Sequence, residues 1–113
     1  MQRNNIYISG PMTGIRDYNR PLFKGVAESL MEIGYDVFNP ADSGLPEHLQ
    51  WSEYLRHDIA SLMKCDAIYM LPGWEKSRGA RLEHHIASEL SMRIYYDPFI
   101  IATDEFPIIR EER

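Results

Sequence analysis

Ala67-Ile68-Tyr69-Met70-Leu71 is apolar at every position and runs into Pro72-Gly73. A short unbroken apolar run bounded by turn residues is the pattern of a strand covered on both faces, as in a parallel sheet. Pro72 and Gly73 suit the two central positions of a type II turn, which stops the strand. Before this run, Trp51 to Lys64 has helical spacing, with Trp51, Leu55, Ile59 and Leu62 expected to face inward. After it, Ser77 to Met92 is a further helical stretch, and Ile94-Tyr95-Tyr96 reads as another strand. Nearer the N-terminus, Asn5-Ile6-Tyr7-Ile8-Ser9 reads as a strand closed by the turn-rich Gly10-Pro11-Met12-Thr13-Gly14. Asn19 is placed to cap a helix running to about Ile33, with Pro21 tolerated in its first turn. Leu22, Phe23, Val26, Ala27, Leu30 and Ile33 give that helix its apolar stripe, and Gly34 ends it. Tyr35 to Phe38 is a short strand, followed by a loop from Asn39 to Gln50. Phe99 to Ala102 and Pro107 to Ile109 are candidates for further strands or extended tail.

Three strand–helix units in series call for right-handed crossovers and helices on both faces of a parallel sheet. The expected fold is a small doubly wound α/β domain of flavodoxin or Rossmann type. It has three αβα layers, a parallel sheet of four to five strands, and one domain over residues 1–113.

The composition fits such a domain: 44% hydrophobic and 26% charged over 113 residues, near the globular average. A net charge of −5 and a pI near 5.3 leave no basic footprint for polymeric nucleic acid or an anionic membrane. Apolar runs reach about five residues, against the ~20 of a membrane helix, and Met1 to Gly10 lacks a signal peptide's apolar region. We therefore expect a cytoplasmic protein. Cys65 is the only cysteine, which removes an internal disulfide or a multi-cysteine zinc site. Its place before an apolar strand suggests a small buried hydrophobe. His84 and His85 are adjacent on a helix and diverge by about 100°, and His48 and His57 have no ligand spacing. No metal or organic cofactor is expected.

Ligands in doubly wound folds bind beyond the carboxyl ends of the strands. The loops there are Ser9–Gly14, Asn39–Gln50 and Pro72–Lys76. The first matches neither G-x-G-x-x-G nor a P-loop. It is either an ordinary tight turn or a loop whose glycines let backbone N–H groups approach a ligand. Two carboxylates break the helical pattern. Ala80, Glu83, Ala87 and Leu90 fall on one stripe, so Glu83 stands where a core residue belongs, near the second turn of its helix. Asp58 falls between Leu55 and Leu62 on the inward stripe of the preceding helix. An unpaired buried carboxylate is costly. Each of the two then either bonds a neighbouring Arg, Ser or backbone group, or faces a cavity as one of the paired carboxylates of glycosyl chemistry. Trp51 and Trp74 are expected to pack, with stacking on a base as the alternative.

Taken together, these segments resemble the nucleoside 2-deoxyribosyltransferase-like superfamily, which includes the 2′-deoxynucleoside 5′-phosphate N-hydrolases. The resemblance covers about residues 5 to 96. It is carried by Ile6 to Gly14, Asn39-Pro40-Ala41, Arg56-His57-Asp58, Cys65-Asp66-Ala67-Ile68, Leu71-Pro72-Gly73-Trp74 and Ser77 to Glu83. The whole is most similar to a small phage-type branch. The resemblance implies that Glu83 is the nucleophile or oxocarbenium-stabilising glutamate, that Asp58 handles the proton of the leaving base, and that Tyr7 lines the site. Asp66 matches a structural position. The loop Ser9, Gly10, Pro11 and Met12, together with Ser77, Arg78 and Gly79, is implied to bind substrate. Ser77 matters most, because the transferases carry an aspartate there for a free 5′-hydroxyl and the nucleotide hydrolases a serine for a 5′-phosphate. Serine at a helix start can donate to a phosphate that an aspartate would repel.

The implied function is cleavage of the base–sugar bond of a 2′-deoxynucleoside 5′-monophosphate. Sugar transfer to a second base, as in a nucleoside 2-deoxyribosyltransferase, is one alternative. A non-catalytic, nucleotide-sequestering protein is the other. A small nucleotide or nucleoside is the expected ligand, and a homodimer or higher homo-oligomer is implied; in those relatives residues near the carboxyl end, or from a neighbouring subunit, help complete the site. The chain is shorter than they are, and its tail after Tyr96 matches neither group.

Overall fold

The computed structural model describes residues 4–97. Strands β1 (Asn5–Ser9), β2 (Asp36–Phe38), β3 (Ala67–Met70) and β4 (Arg93–Tyr96) form one sheet in the order β2-β1-β3-β4. Every neighbouring pair is parallel. Helices α1 (Arg20–Glu32), α2 (Trp51–Leu62) and α3 (Arg78–Glu89) connect the strands. This is the doubly wound α/β arrangement expected from the sequence. The candidate strands Phe99–Ala102 and Pro107–Ile109 lie outside the described residues.

The period of two along β1 sorts its side chains into two layers. Ile6 and Ile8 join Tyr69 and Leu71 in a cluster with Phe23, Val26, Ala27 and Leu30 of α1. Tyr7 joins Ile68, Met70 and Ile94 in a second cluster with Leu62 of α2 and Ala80 and Ala87 of α3. All four residues of β3 are buried because both faces of that strand are covered, which explains its lack of alternation. Asp66 fixes the start of β3 against β1 by accepting the Asn5 backbone N–H at 3.0 Å, a structural role. Gly73, at φ 85° and ψ 4°, takes the third position of a type II turn, closed by Trp74 N–H on the Leu71 carbonyl at 3.2 Å. Trp74 packs, as expected, with its indole stacked on His84 at 4.2 Å.

The helix ends differ from the sequence reading in instructive ways. Asn19 precedes α1 in a left-handed conformation and does not cap it; its side-chain amide donates instead to the Pro11 carbonyl at 2.9 Å. Ser77 caps α3, its hydroxyl accepting the Ala80 N–H at 3.2 Å. The helix stops at Glu89, so Leu90, expected on the buried stripe, sits past the last turn and is 57% exposed. Trp51, expected to face inward, is 42% exposed. It is the first residue of α2, whose only fully buried side chain is Leu62 near the far end. Cys65 is half-buried rather than a core residue; burial pushes its thiol up to about 11. Among the described residues no helix is long and apolar enough to cross a membrane.

Strand β2 lies on one side of β1 and β3 on the other. The chain leaves the carboxyl ends of β1 and β3 in opposite directions there, which opens a crevice beyond them.

Candidate active site

Glu83 sits at the base of that crevice with only 5% of its surface exposed. Its stripe on α3 turns it onto the sheet, where β1 presents two hydroxyls on the same face. The Tyr7 hydroxyl donates to Oε2 at 2.8 Å and the Ser9 hydroxyl to Oε1 at 2.6 Å. Burial pushes the carboxyl up to about 7; the Ser9 and Tyr7 donors favour the ionised form and limit the rise, while the charge of Asp58 adds to it. The Tyr7 phenol is held well above its ordinary value by burial and by Glu83, so it stays a donor.

A cavity of about 490 Å³ opens above the carboxylate. Its walls are the loop after β1, residues 40–45 and 47, the first turns of α2, and the start of α3. Asp58 lies on the α2 wall, pushed up to about 6 by burial, with the neighbouring His57 pulling it down. His57 Nδ1 is 3.6 Å from Asp58 Oδ1, beyond a hydrogen bond. Its ring meets Phe38, which stacks on Tyr7 at 5.4 Å. Two carboxyls that titrate near neutrality on one cavity can divide labour, one ionised and one protonated. Among the described residues no three His, Cys, Asp or Glu side chains converge to hold a metal ion.

Of the residues named from sequence, Tyr7, Gly10, Met12, Asp58, Ser77, Gly79 and Glu83 line this cavity. Three do not. Ser9 is 1% exposed and its hydroxyl is engaged on Glu83. Pro11 offers its carbonyl to Asn19. Arg78 lays its guanidinium over the Trp51 ring, 4.3 Å from the centroid. Gly10 also has a packing reason to be glycine: a Cβ there would come within 2.7 Å of the Leu71 Cβ.

The sequence reading missed Tyr18, Arg20 and Tyr54 on the walls. For Tyr54 a signal existed, since Trp51, Tyr54, Leu55 and Asp58 follow i, i+3, i+4, i+7 spacing and form the cavity face of α2. The Tyr54 hydroxyl donates to the Pro46 carbonyl and so ties the loop after β2 to that helix. Tyr18 and Arg20 had no such local signal.

The chain belongs to the family described as a domain of unknown function (DUF4406), whose model matches residues 4–96. No curated protein matches its sequence. Among solved structures it is similar to the CMP N-glycosidase BcmB of Clostridium botulinum. The TM-score is 0.54 at 17% sequence identity, covering 82% of this chain and 67% of the other. At that identity the likeness is one of fold.

Proposed function

We propose that this member of the DUF4406 family is a nucleotide N-glycosidase of the nucleoside 2-deoxyribosyltransferase-like type, cleaving a 2′-deoxynucleoside 5′-monophosphate. The observation that carries the reading is the Glu83 carboxylate, buried at the crevice and held by two hydroxyl donors from β1. A shared fold with the CMP N-glycosidase BcmB supports it.

In this reading the C1′–N bond breaks with its electron pair leaving on the base, and positive charge develops across C1′ and the ring oxygen. Ionised Glu83 stabilises that charge or bonds to C1′. Tyr7 and Ser9 fix the carboxylate in place, so no reorganisation is needed as charge appears. The pair acts with its one proton on Asp58, the less populated arrangement because burial raises the Glu83 carboxyl (about 7) above that of Asp58 (about 6). From it Asp58 protonates the departing base and later takes a proton from the water that adds to C1′. The 5′-phosphate meets the start of α3. The Ser77 oxygen accepts the Ala80 N–H and keeps its own hydrogen for a phosphate oxygen, beside the N–H groups of the first turn.

The test is incubation of the protein with each of the four dNMPs and with CMP, the products resolved by chromatography. Free base and deoxyribose 5-phosphate are the expected products from a dNMP; ribose 5-phosphate would mark turnover of CMP. Base exchange that requires an added second base would identify a transferase. Tight binding without turnover would leave a sequestering protein and overturn the enzymatic reading.

A further inference from the structure

Asp17, Tyr18 and Asn19 stand in succession in the left-handed region, at φ 54°, 52° and 64°. Residues with a Cβ seldom adopt this conformation, aspartate and asparagine tolerate it best, and tyrosine has no such licence. Such a run persists only where the surroundings over-determine it, and strain of this kind gathers at ligand sites. The run buries no side chain, so core packing is not its reason. Four bonds hold it: Tyr18 N–H on the Ile15 carbonyl at 2.8 Å, the Asn19 amide on the Pro11 carbonyl, the Arg20 backbone N–H on the Asp17 carbonyl, and Arg20 Nη1 on Asp17 Oδ1 at 3.0 Å. Its outcome is that Tyr18 and Arg20 reach the wall of the cavity, with the guanidinium 5.1 Å from the Tyr18 ring centre.

The charge on that wall is one-sided. Asp42, Glu47, Asp58 and Glu83 line the cavity, and among the described residues that do so Arg20 is the only cation. A phosphate monoester entering there is repelled unless a cation meets it. Arg78, the cation named from the sequence, lies over the Trp51 ring and does not line the cavity. The Arg20 fork has five N–H donors and its ion pair with Asp17 is a single contact, which leaves donors for a second anion. Its side chain is 47% exposed and free of core packing. We propose that Arg20 is the cation that binds the 5′-phosphate, aimed by the left-handed run, and that it sets the preference for nucleotides over nucleosides. This rests on the phosphorylated substrate proposed above.

The experiment is calorimetric titration of the full chain with each dNMP and its matching deoxynucleoside, for the wild type, Arg20→Gln, Arg20→Lys and Asp17→Asn. The wild type should bind the nucleotide more tightly. Arg20→Gln should weaken nucleotide binding by about 10- to 100-fold, the range of a charge-assisted contact, and leave the nucleoside within about twofold. Arg20→Lys keeps the charge but not the fork and should fall between them. Asp17→Asn keeps the turn, since asparagine accepts the left-handed region, and by releasing the guanidinium should tighten the nucleotide severalfold. If Arg20→Gln retains the wild-type nucleotide preference, or weakens both ligands equally, the assignment of Arg20 is overturned while the phosphate reading stands. Equal affinity of the wild type for both ligands overturns the phosphate reading itself.

Discussion

Ile6 and Ile8 on one side of β1 pack in a cluster of aliphatic and aromatic side chains with α1 and β3; Tyr7 and Ser9 on the other side meet a carboxylate. All four are at most 1% exposed, so burial does not tell the two faces apart. The partner does. Against α1 the sheet gains the transfer free energy of apolar surface, with no buried carboxylate among the described residues to set against it. Against α3 two hydroxyls partly offset the desolvation of Glu83, and the remainder shows as a carboxyl whose ionisation is held back to about pH 7. One strand therefore supplies stability on one face and a poised charge on the other.

Stability should fail on the first face. Ile8→Ala removes a fully buried side chain and should destabilise the fold by ~2–5 kcal/mol in a denaturant titration, with nucleotide turnover per folded molecule unchanged. A loss below ~1 kcal/mol would mean that the α1 layer is not where the stability lies.

On the second face the effect should follow pH. The folded carboxyl of Glu83 titrates near 7 against an ordinary 4.5, so the folded state binds its proton more readily. That contribution is fully present below about pH 4.5 and is lost as pH rises through 7. Asp58, raised from 3.8 to about 6, acts in the same direction over a lower window. For Glu83 the loss amounts to ~3 kcal/mol. Urea unfolding from pH 5 to pH 8 should show stability declining, and Glu83→Gln should flatten most of the slope. A wild type whose stability is level over this range would contradict the raised carboxyl.

Most of this contrast was legible in the sequence. The segment Asn5–Ser9 read as a strand, the family resemblance put Tyr7 at the site, and the stripe of α3 placed a glutamate among alanines. Legibility ended where position depends on where a helix starts or stops. Trp51 and Leu90 obey the helical period yet are exposed, since they occupy the end positions of α2 and α3. Ser9 was visible as a loop residue, but its bond to Glu83 spans 74 positions of sequence and has no local trace. Arg20 was hidden for the same reason: a run of non-glycine residues at positive φ is fixed by contacts with the loop after β1, not by its own composition.

The central claim is that the Glu83 carboxylate serves chemistry and not the fold, and one matched measurement tests it. Wild type and Glu83→Gln are compared at pH 7 for base release from the dNMP that the wild type turns over and at pH 8 for thermal unfolding. The account predicts a loss of at least about 10²-fold in kcat, the scale of removing one preorganised electrostatic stabiliser. It also predicts a melting temperature equal to or above that of the wild type, because a neutral amide escapes the desolvation of the ionised carboxylate. A variant that unfolds more readily while its folded fraction releases base at the wild-type rate would show Glu83 to be a structural residue.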